Sequence, residues 1–282
     1  MTLRPTVLLA VATILATALL MPVSPALANA WAGVEGPAPE PVAVHGRTNR
    51  GCMAGGVALP MDGPGFSVMR PARNRYWGTP GLVALVEELG RQVEARGLGT
   101  MRIGDLAQPR GGPMPSGHAS HQTGLDADIF YVFVPPGGLD ARVRANGGPV
   151  PVLRAGTLEP DAALWGDAQR TMLRLAADLP GVDRIFVNYA LKRDLCRTTG
   201  SDRAWLRRIR PWVGHDGHFH IRLACPAGQT GCVPQDPVPP GDGCGAELDS
   251  WFAPPPPGPA KPPAPKPPPP PMPAECATIL RR

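Results

Sequence analysis

The sequence predicts an α+β fold, a central antiparallel sheet with flanking helices, stapled by disulfides. Three observations point there. Apolar residues recur at helical spacing in some segments and alternate as in strands in others, without the strict strand–helix–strand rhythm of a parallel sheet. The 282 residues are 43% hydrophobic, enough for a core of ordinary size. Six cysteines, an even number, follow an N-terminus that reads as an export signal, and disulfides are the default state of cysteines in exported chains.

Residues 1–30 have the order of a secretory signal peptide: Arg4 near the start, an apolar run from Val7 to Met21, and small residues up to Ala30. The apolar run is short for a bilayer core of about 30 Å, so cleavage and no stable membrane insertion are expected. Residues 31–252 form the expected folded domain. Thr79-Pro80 followed by Leu82, Leu85, Val86, Leu89 and Val93, with Gly97 after them, reads as a capped amphipathic helix. Thr100 to Leu106 and Asp128 to Val134 read as strands. Pro160 to Leu179 presents a helical face of Leu164, Ala168, Met172, Leu175 and Leu179. Arg184 to Asn188 is a short strand, and Asp202 to Arg210 a short basic helix stopped by Pro211. His218 to Leu223 alternates as a strand, with Phe219, Ile221 and Leu223 inward.

Residues 253–282 are an arm. From Pro254 to Pro273, 14 of 20 residues are proline, and a polyproline II segment buries no core, so it serves as linker or spacer. Cys276 lies beyond it, so a disulfide there makes the arm tethered. Six cysteines permit about 15 pairings; Cys225 and Cys232 are close enough for a local loop. The absence of Cys-x-x-Cys argues against a zinc ribbon or a thioredoxin-like site. Lys and Arg number 28 against 23 Asp and Glu, a formal charge of +5. Without a basic cluster this supports mild attraction to a polyanionic surface and no nucleic-acid partner.

The chemistry concentrates in histidines. Five of the six lie in two short groups; His45, the sixth, reads as an ordinary surface residue. The first group is Ser116-Gly-His-Ala-Ser-His-Gln-Thr-Gly-Leu-Asp-Ala-Asp128. Gly124 lets the chain turn between His121 and Asp128, so a loop imidazole and a strand carboxylate can converge on one cation. The second is Gly214-His-Asp-Gly-His-Phe-His220. On a strand, His218 and His220 share a face about 7 Å apart, which suits one ligand beside one neighbour acting on water. Two imidazoles and a carboxylate leave zinc an open position, and a neutral histidine nearby can take a proton. Asp126 either orients a ligand imidazole or stabilises the turn. Arg222 either meets a substrate carboxylate or forms a surface salt bridge. Phe130, Tyr131, Trp77 and Trp212 either wall the cleft or pack the core. His-Glu-x-x-His, Ser-x-x-Lys, Gly-x-Ser-x-Gly and a P-loop are all absent, which leaves no serine nucleophile of the penicillin-binding kind.

These two groups, with Arg222, closely resemble the penicillin-insensitive murein endopeptidases, in the metallopeptidase group that includes lysostaphin, D-alanyl-D-alanine dipeptidases and the hedgehog signalling domain. The likeness extends to Arg73-Asn-Arg-Tyr-Trp77, Arg184-Ile-Phe-Val-Asn188, Trp205-Leu-Arg-Arg-Ile-Arg-Pro-Trp212 and Gly241-Asp-Gly-Cys-Gly-Ala-Glu-Leu248, and covers about Cys52 to Phe252. The resemblance implies that fold, and a periplasmic zinc enzyme that cuts D-alanyl–meso-diaminopimelyl cross-links of peptidoglycan. It implies His121, Asp128 and His220 as zinc ligands, His118 as a further histidine at the metal, His218 as general base, and a cationic His215 stabilising the transition state. It also implies the pairings Cys52–Cys276, Cys196–Cys244 and Cys225–Cys232. Family members can carry a further His and Asp between the motifs for a second metal; Ala145 to Gly156 holds neither, so one ion is expected. The rivals are a D,D-carboxypeptidase or dipeptidase on the same scaffold, and a zinc-carrying wall-binding module without turnover.

Overall fold

A computed structural model describes residues 30–254 and 271–282. The expected signal peptide, apart from Ala30, and residues 255–270 of the proline block lie outside the described residues.

The chain begins with a hairpin of β1 (Ala43–Arg47) and β2 (Arg50–Ala54). Short strands β3 (Val57–Ala58), β4 (Asp62–Gly63), β5 (Phe66–Val68) and β6 (Trp77–Gly78) lead to helix α1 (Pro80–Ala95). Then come β7 (Met101–Ile103), β8 (Asp126–Phe130), α2 (Ala141–Asn146), α3 (Asp167–Asp178), β9 (Val182–Asn188) and α4 (Tyr189–Thr198). Last are β10 (Ile209–Trp212), β11 (His218–Leu223), α5 (Ala246–Asp249) and α6 (Ala274–Arg281). The main sheet has seven strands in the order β10-β9-β11-β8-β7-β5-β4. Its centre, β9 through β7, pairs antiparallel as expected, and the outer pairs β10–β9 and β5–β7 are parallel.

Helix α1 forms where the sequence places it. The Thr79 hydroxyl accepts from the Leu82 amide, Pro80 occupies the first turn, and Leu82, Leu85, Val86, Leu89 and Val93 are buried. These side chains and Met172, Leu173 and Ala176 of α3 pack on one face of the sheet, against Ala127 and Ile129 of β8 and Phe219 and Ile221 of β11. Strand alternation then sends Asp126 and Asp128, and opposite them His218, His220 and Arg222, to the other face. The register sets His220 across from Asp128 and Arg222 across from Asp126.

Four expectations are corrected here. The second helix starts at Asp167, not near Pro160, because Pro160 sits in a bridge with Leu153. The basic segment 202–210 forms only a 3-10 turn, Ala204–Arg208, and continues as β10; Pro211 is tolerated there because β10 is an edge strand. Strand β8 runs from Asp126 to Phe130, so the β-forming residues after Phe130 lie past its end. Strand β11 is covered on both faces: Arg222 is buried, while Leu223 is only partly so.

All three disulfides pair as the resemblance implies. Cys52–Cys276 fastens α6 to β2; Ile279 is buried beside it, and Arg110 donates to the carbonyls of Ile279 and Leu280. Among the described residues, no helix is long and apolar enough to cross a membrane.

Candidate metal centre

The Asp128 carboxylate, buried on β8, is the hub of four imidazoles. His121 Nε2 lies 3.3 Å from Oδ1, His220 Nδ1 3.5 Å from Oδ1, His218 Nε2 3.7 Å from Oδ1, and His118 Nδ1 3.6 Å from Oδ2. The donor atoms of His118, His121 and Asp128 all lie within 4.8 Å of one another.

The far nitrogen of each of three rings is already taken by a group that only accepts. His121 Nδ1 is 2.6 Å from the Leu106 carbonyl, His220 Nε2 is 2.8 Å from Asp126 Oδ1, and His118 Nε2 is 2.9 Å from Asp105 Oδ2. A carbonyl or carboxylate in that position fixes the proton on the nitrogen it touches. The opposite nitrogen of each ring therefore faces Asp128; burial keeps His220 neutral with a lone pair there, whereas at His121 burial is outweighed by Asp128, which raises the imidazole pKa above its ordinary value. Lone pairs facing an anion inside a protein repel, unless a cation lies between them. Among the described residues, His121 Nε2 and Asp128 Oδ1 are buried with no hydrogen bond to a third group and lie 3.3 Å from each other, a spacing that a shared proton or metal ion can bridge. Nitrogen and carboxylate donors together fit zinc.

Backbone geometry supports the arrangement. His121 has φ +65° and His215 φ +55°, left-handed values that cost a residue with a Cβ about 1–2 kcal/mol. At His121 the turn aims the backbone N–H at Asp126 Oδ2, 3.0 Å away. Asp126 thus performs both roles expected of it: it holds the turn through Oδ2 and orients His220 through Oδ1. Arg222 does neither thing expected of it, since it is buried with its Nε 2.6 Å from Asp126 Oδ1 and its Nη1 2.8 Å from Gln235 Oε1. Burial would raise the pKa of Asp126, but Arg222 and His220 outweigh it and hold the carboxyl well below its ordinary range.

His218, with its side chain 22% exposed, opens to the cleft, and its ring is 5.0 Å from that of His215. Burial lowers the pKa of His218, His215 and, to about 4, His220, so all three are neutral at pH 7. Burial thus disfavours the cationic state expected of His215. That ring lies with Nδ1 3.1 Å from the Val213 carbonyl, and it is a neutral tautomer with an accepting Nε2.

Of the aromatic candidates, Phe130 and Tyr131 are core residues, 2% and 0% exposed. Trp77 stacks on Tyr76 and donates to Asn74. Trp212 is 52% exposed and reaches the site through Phe186, whose ring lies 5.4 Å from Trp212 and 5.3 Å from His220. His45 sits half-buried on β1 against Gly231, outside the ring contacts that join the other five histidines.

Sequence reasoning missed Asp105. Its buried carboxylate holds His118 and is ringed by Arg70, Arg73 and Arg75 at 3.4, 3.1 and 3.0 Å. Burial alone would raise its pKa; His118, Arg70 and Arg73 bring it down to about 2. No motif marks a lone aspartate in a strand-like segment.

Imidazoles gathered around a buried carboxylate, on one face of the central strands β8 and β11, form a cluster that could hold a metal ion. Comparison with known proteins gives the chain its family. The family model described as penicillin-insensitive murein endopeptidase matches residues 44–281. A protein of that name from Haemophilus influenzae is 48% identical over 213 residues, which cover 76% of this chain and 74% of the relative. One from Klebsiella pneumoniae subsp. pneumoniae is 46% identical over 223 residues (76% and 77%), and one from Yersinia enterocolitica 43% over 237 residues (83% and 86%). The chain belongs to the penicillin-insensitive murein endopeptidase family.

Proposed function

We propose that this chain is a periplasmic zinc endopeptidase that hydrolyses D-alanyl–meso-diaminopimelyl cross-links in peptidoglycan, with one metal ion and without sensitivity to penicillin. The observation that carries this reading is the convergence of donor nitrogens of His121, His220 and His118 on Asp128, each ring fixed from behind by an accepting group. His121, His220 and Asp128 would hold the ion, with His118 Nδ1 as a further donor. A zinc ion bound there supplies Lewis acidity toward a carbonyl and a water nucleophile with a pKa near about 7. His218, neutral and open to the cleft, takes the proton of the attacking water at Nε2 and delivers it to the leaving amine nitrogen. His215 presents an accepting Nε2 beside it, and Asp126 and Asp105 keep the rings of His220 and His118 in the productive tautomer. No serine takes part, so a β-lactam finds nothing to acylate.

The test is digestion of cross-linked muropeptide dimers with the purified protein, before and after chelation, with and without penicillin. Conversion of dimers to monomers that chelation stops and penicillin spares is the expected result. Release of terminal D-alanine alone would assign a carboxypeptidase, and wall binding without any cleavage a binding module; either outcome overturns the reading.

A further inference from the structure

We propose that Arg70 and Arg73 form a subsite for the free carboxylate that neighbours the scissile bond on its amine side. This rests on the murein reading above. In a D-alanyl–meso-diaminopimelyl link, the carbon bearing the scissile nitrogen also bears a carboxylate, so a substrate anion lies two bonds from the bond to be cut.

The first support is charge. Three guanidinium groups converge on the single carboxylate of Asp105. Guanidinium stays protonated in proteins, and Asp105 is also engaged by His118 Nε2 at 2.9 Å. Against these three permanent cations stand two buried anions, Asp105 and Asp128, the second also acting on Arg73, which leaves one excess positive charge in a half-buried place where water screens it poorly. A carboxylate arriving from solvent meets that excess, and a guanidinium fork matches it two oxygens at a time.

The second is access. Arg75 is buried, with 7% of its side chain exposed, and its Nη1 also donates to the Ser116 carbonyl, so it is part of the frame. Arg73 and Arg70 are 29% and 18% exposed, and His118 17%. Arg73 lies close to the metal donors: its Nη1 and His118 Nε2 touch the same oxygen of Asp105, at 3.1 and 2.9 Å. Facing Arg73 is Gly117, at φ +92°. A Cβ there would stand 3.8 Å from both Arg73 Nη2 and Arg75 Nη1, so any larger side chain would roof the guanidinium groups. The third is strain. The 3-10 turn Pro71–Arg73 is bracketed by Arg70 at φ +53° and Asn74 at φ +51°, and Asn74 is tied to the carbonyls of Val34 and Glu35. Two left-handed residues that are not glycine, in one short turn, persist where the fold over-determines them; here they aim Arg70 and Arg73 at one point.

The experiment compares two substrates, a cross-linked muropeptide dimer and the same dimer with the leaving-side carboxylate converted to a carboxamide. Wild-type protein should favour the acid by about tenfold or more in kcat/KM. Arg73→Ala should bring the ratio toward one, chiefly by slowing the acid, and Arg73→Lys should recover part of it. Binding gives a second readout. His218→Ala protein, titrated calorimetrically with both dimers, should prefer the acid, and adding Arg73→Ala should erase the preference. Equal cleavage of both substrates by wild type overturns the subsite and leaves the endopeptidase reading intact, as does an Arg73→Ala that slows both alike through Asp105. Arg73-dependent preference in binding with no cleavage of either dimer keeps the subsite and overturns the endopeptidase. If Arg73→Ala fails to fold, the Arg73→Lys ratio decides.

Discussion

Truncating Asp126 to alanine probes the layer beneath the metal donors. Its carboxylate is fully buried and accepts from Arg222 Nε at 2.6 Å, His220 Nε2 at 2.8 Å and the His121 amide at 3.0 Å. Removing it strands Arg222, itself 6% exposed, as a buried cation whose remaining polar partner is Gln235 and whose guanidinium lies 5.1 Å from the Phe186 ring centre. Breaking a buried pair from one side costs about 3–5 kcal/mol; because Gln235 still holds Nη1, we expect about 3. Urea denaturation in chelator measures this without metal binding. Replacing Arg222 by leucine in the same background removes the stranded charge and should return about 2 kcal/mol of that loss. Metal affinity is a separate readout. With the His220 tautomer released and the His121 turn loosened, zinc competition should show binding weakened about 10–100-fold. A stability loss under about 1 kcal/mol, a double variant no more stable than Asp126→Ala, or unchanged zinc affinity would each refute the role given to this residue.

His218→Ala should lower kcat by about 10²–10⁴-fold while zinc content, measured by elemental analysis, stays at one per chain; loss of the metal would make His218 a ligand instead. Asp105 should govern part of the acid response. Its folded pKa of about 2 lies below the ordinary aspartate value of 3.8, so its contribution is present above pH 3.8 and is lost as pH falls through about 2. That contribution is about 2 kcal/mol, and the drop in metal-free stability between pH 5 and pH 2 should be smaller by that amount in Asp105→Asn. The two extreme disulfides should differ in weight. Opening Cys52–Cys276, with a sequence separation of 224, should cost about 5 kcal/mol, and opening Cys225–Cys232, with a separation of 7, about half of that, as read from denaturation midpoints of the serine variants.

What the sequence made legible had a local cause. Helix α1 carries its own cap and stripe, and β11 its own alternation, so both appear where expected. Helix α4 did not, because its buried face includes Lys192 and Asp194, which break the apolar pattern. Their partners are far along the chain: Lys192 Nζ donates to the carbonyls of Leu206 and Asp242, and Asp194 accepts from Trp165 and Arg170. Arg222 misled for the same reason, since alternation assumes one wet face and its partner Asp126 sits on the neighbouring strand. The donors themselves were legible because the histidines cluster in two motifs; Asp105 was not, because its meaning comes only from arginines 30 to 35 residues before it and from His118.

The two motifs are joined by protein contacts before any ion arrives. One carboxylate, Asp126, touches the backbone of His121 in the first motif and the ring of His220 in the second. The left-handed turn at His121 costs about 1–2 kcal/mol, which the amide bond to Asp126 and the ring bond to Leu106 offset. The rings are therefore set in direction by the fold, and without a metal ion the crowding of their nitrogens on Asp128 is eased only by a proton, which Asp128 favours on His121. Cation binding relieves that crowding without ordering the site. Its affinity should consequently be high, and zinc at about 100 times its Kd should raise unfolding stability by about 2.7 kcal/mol with little change in backbone structure.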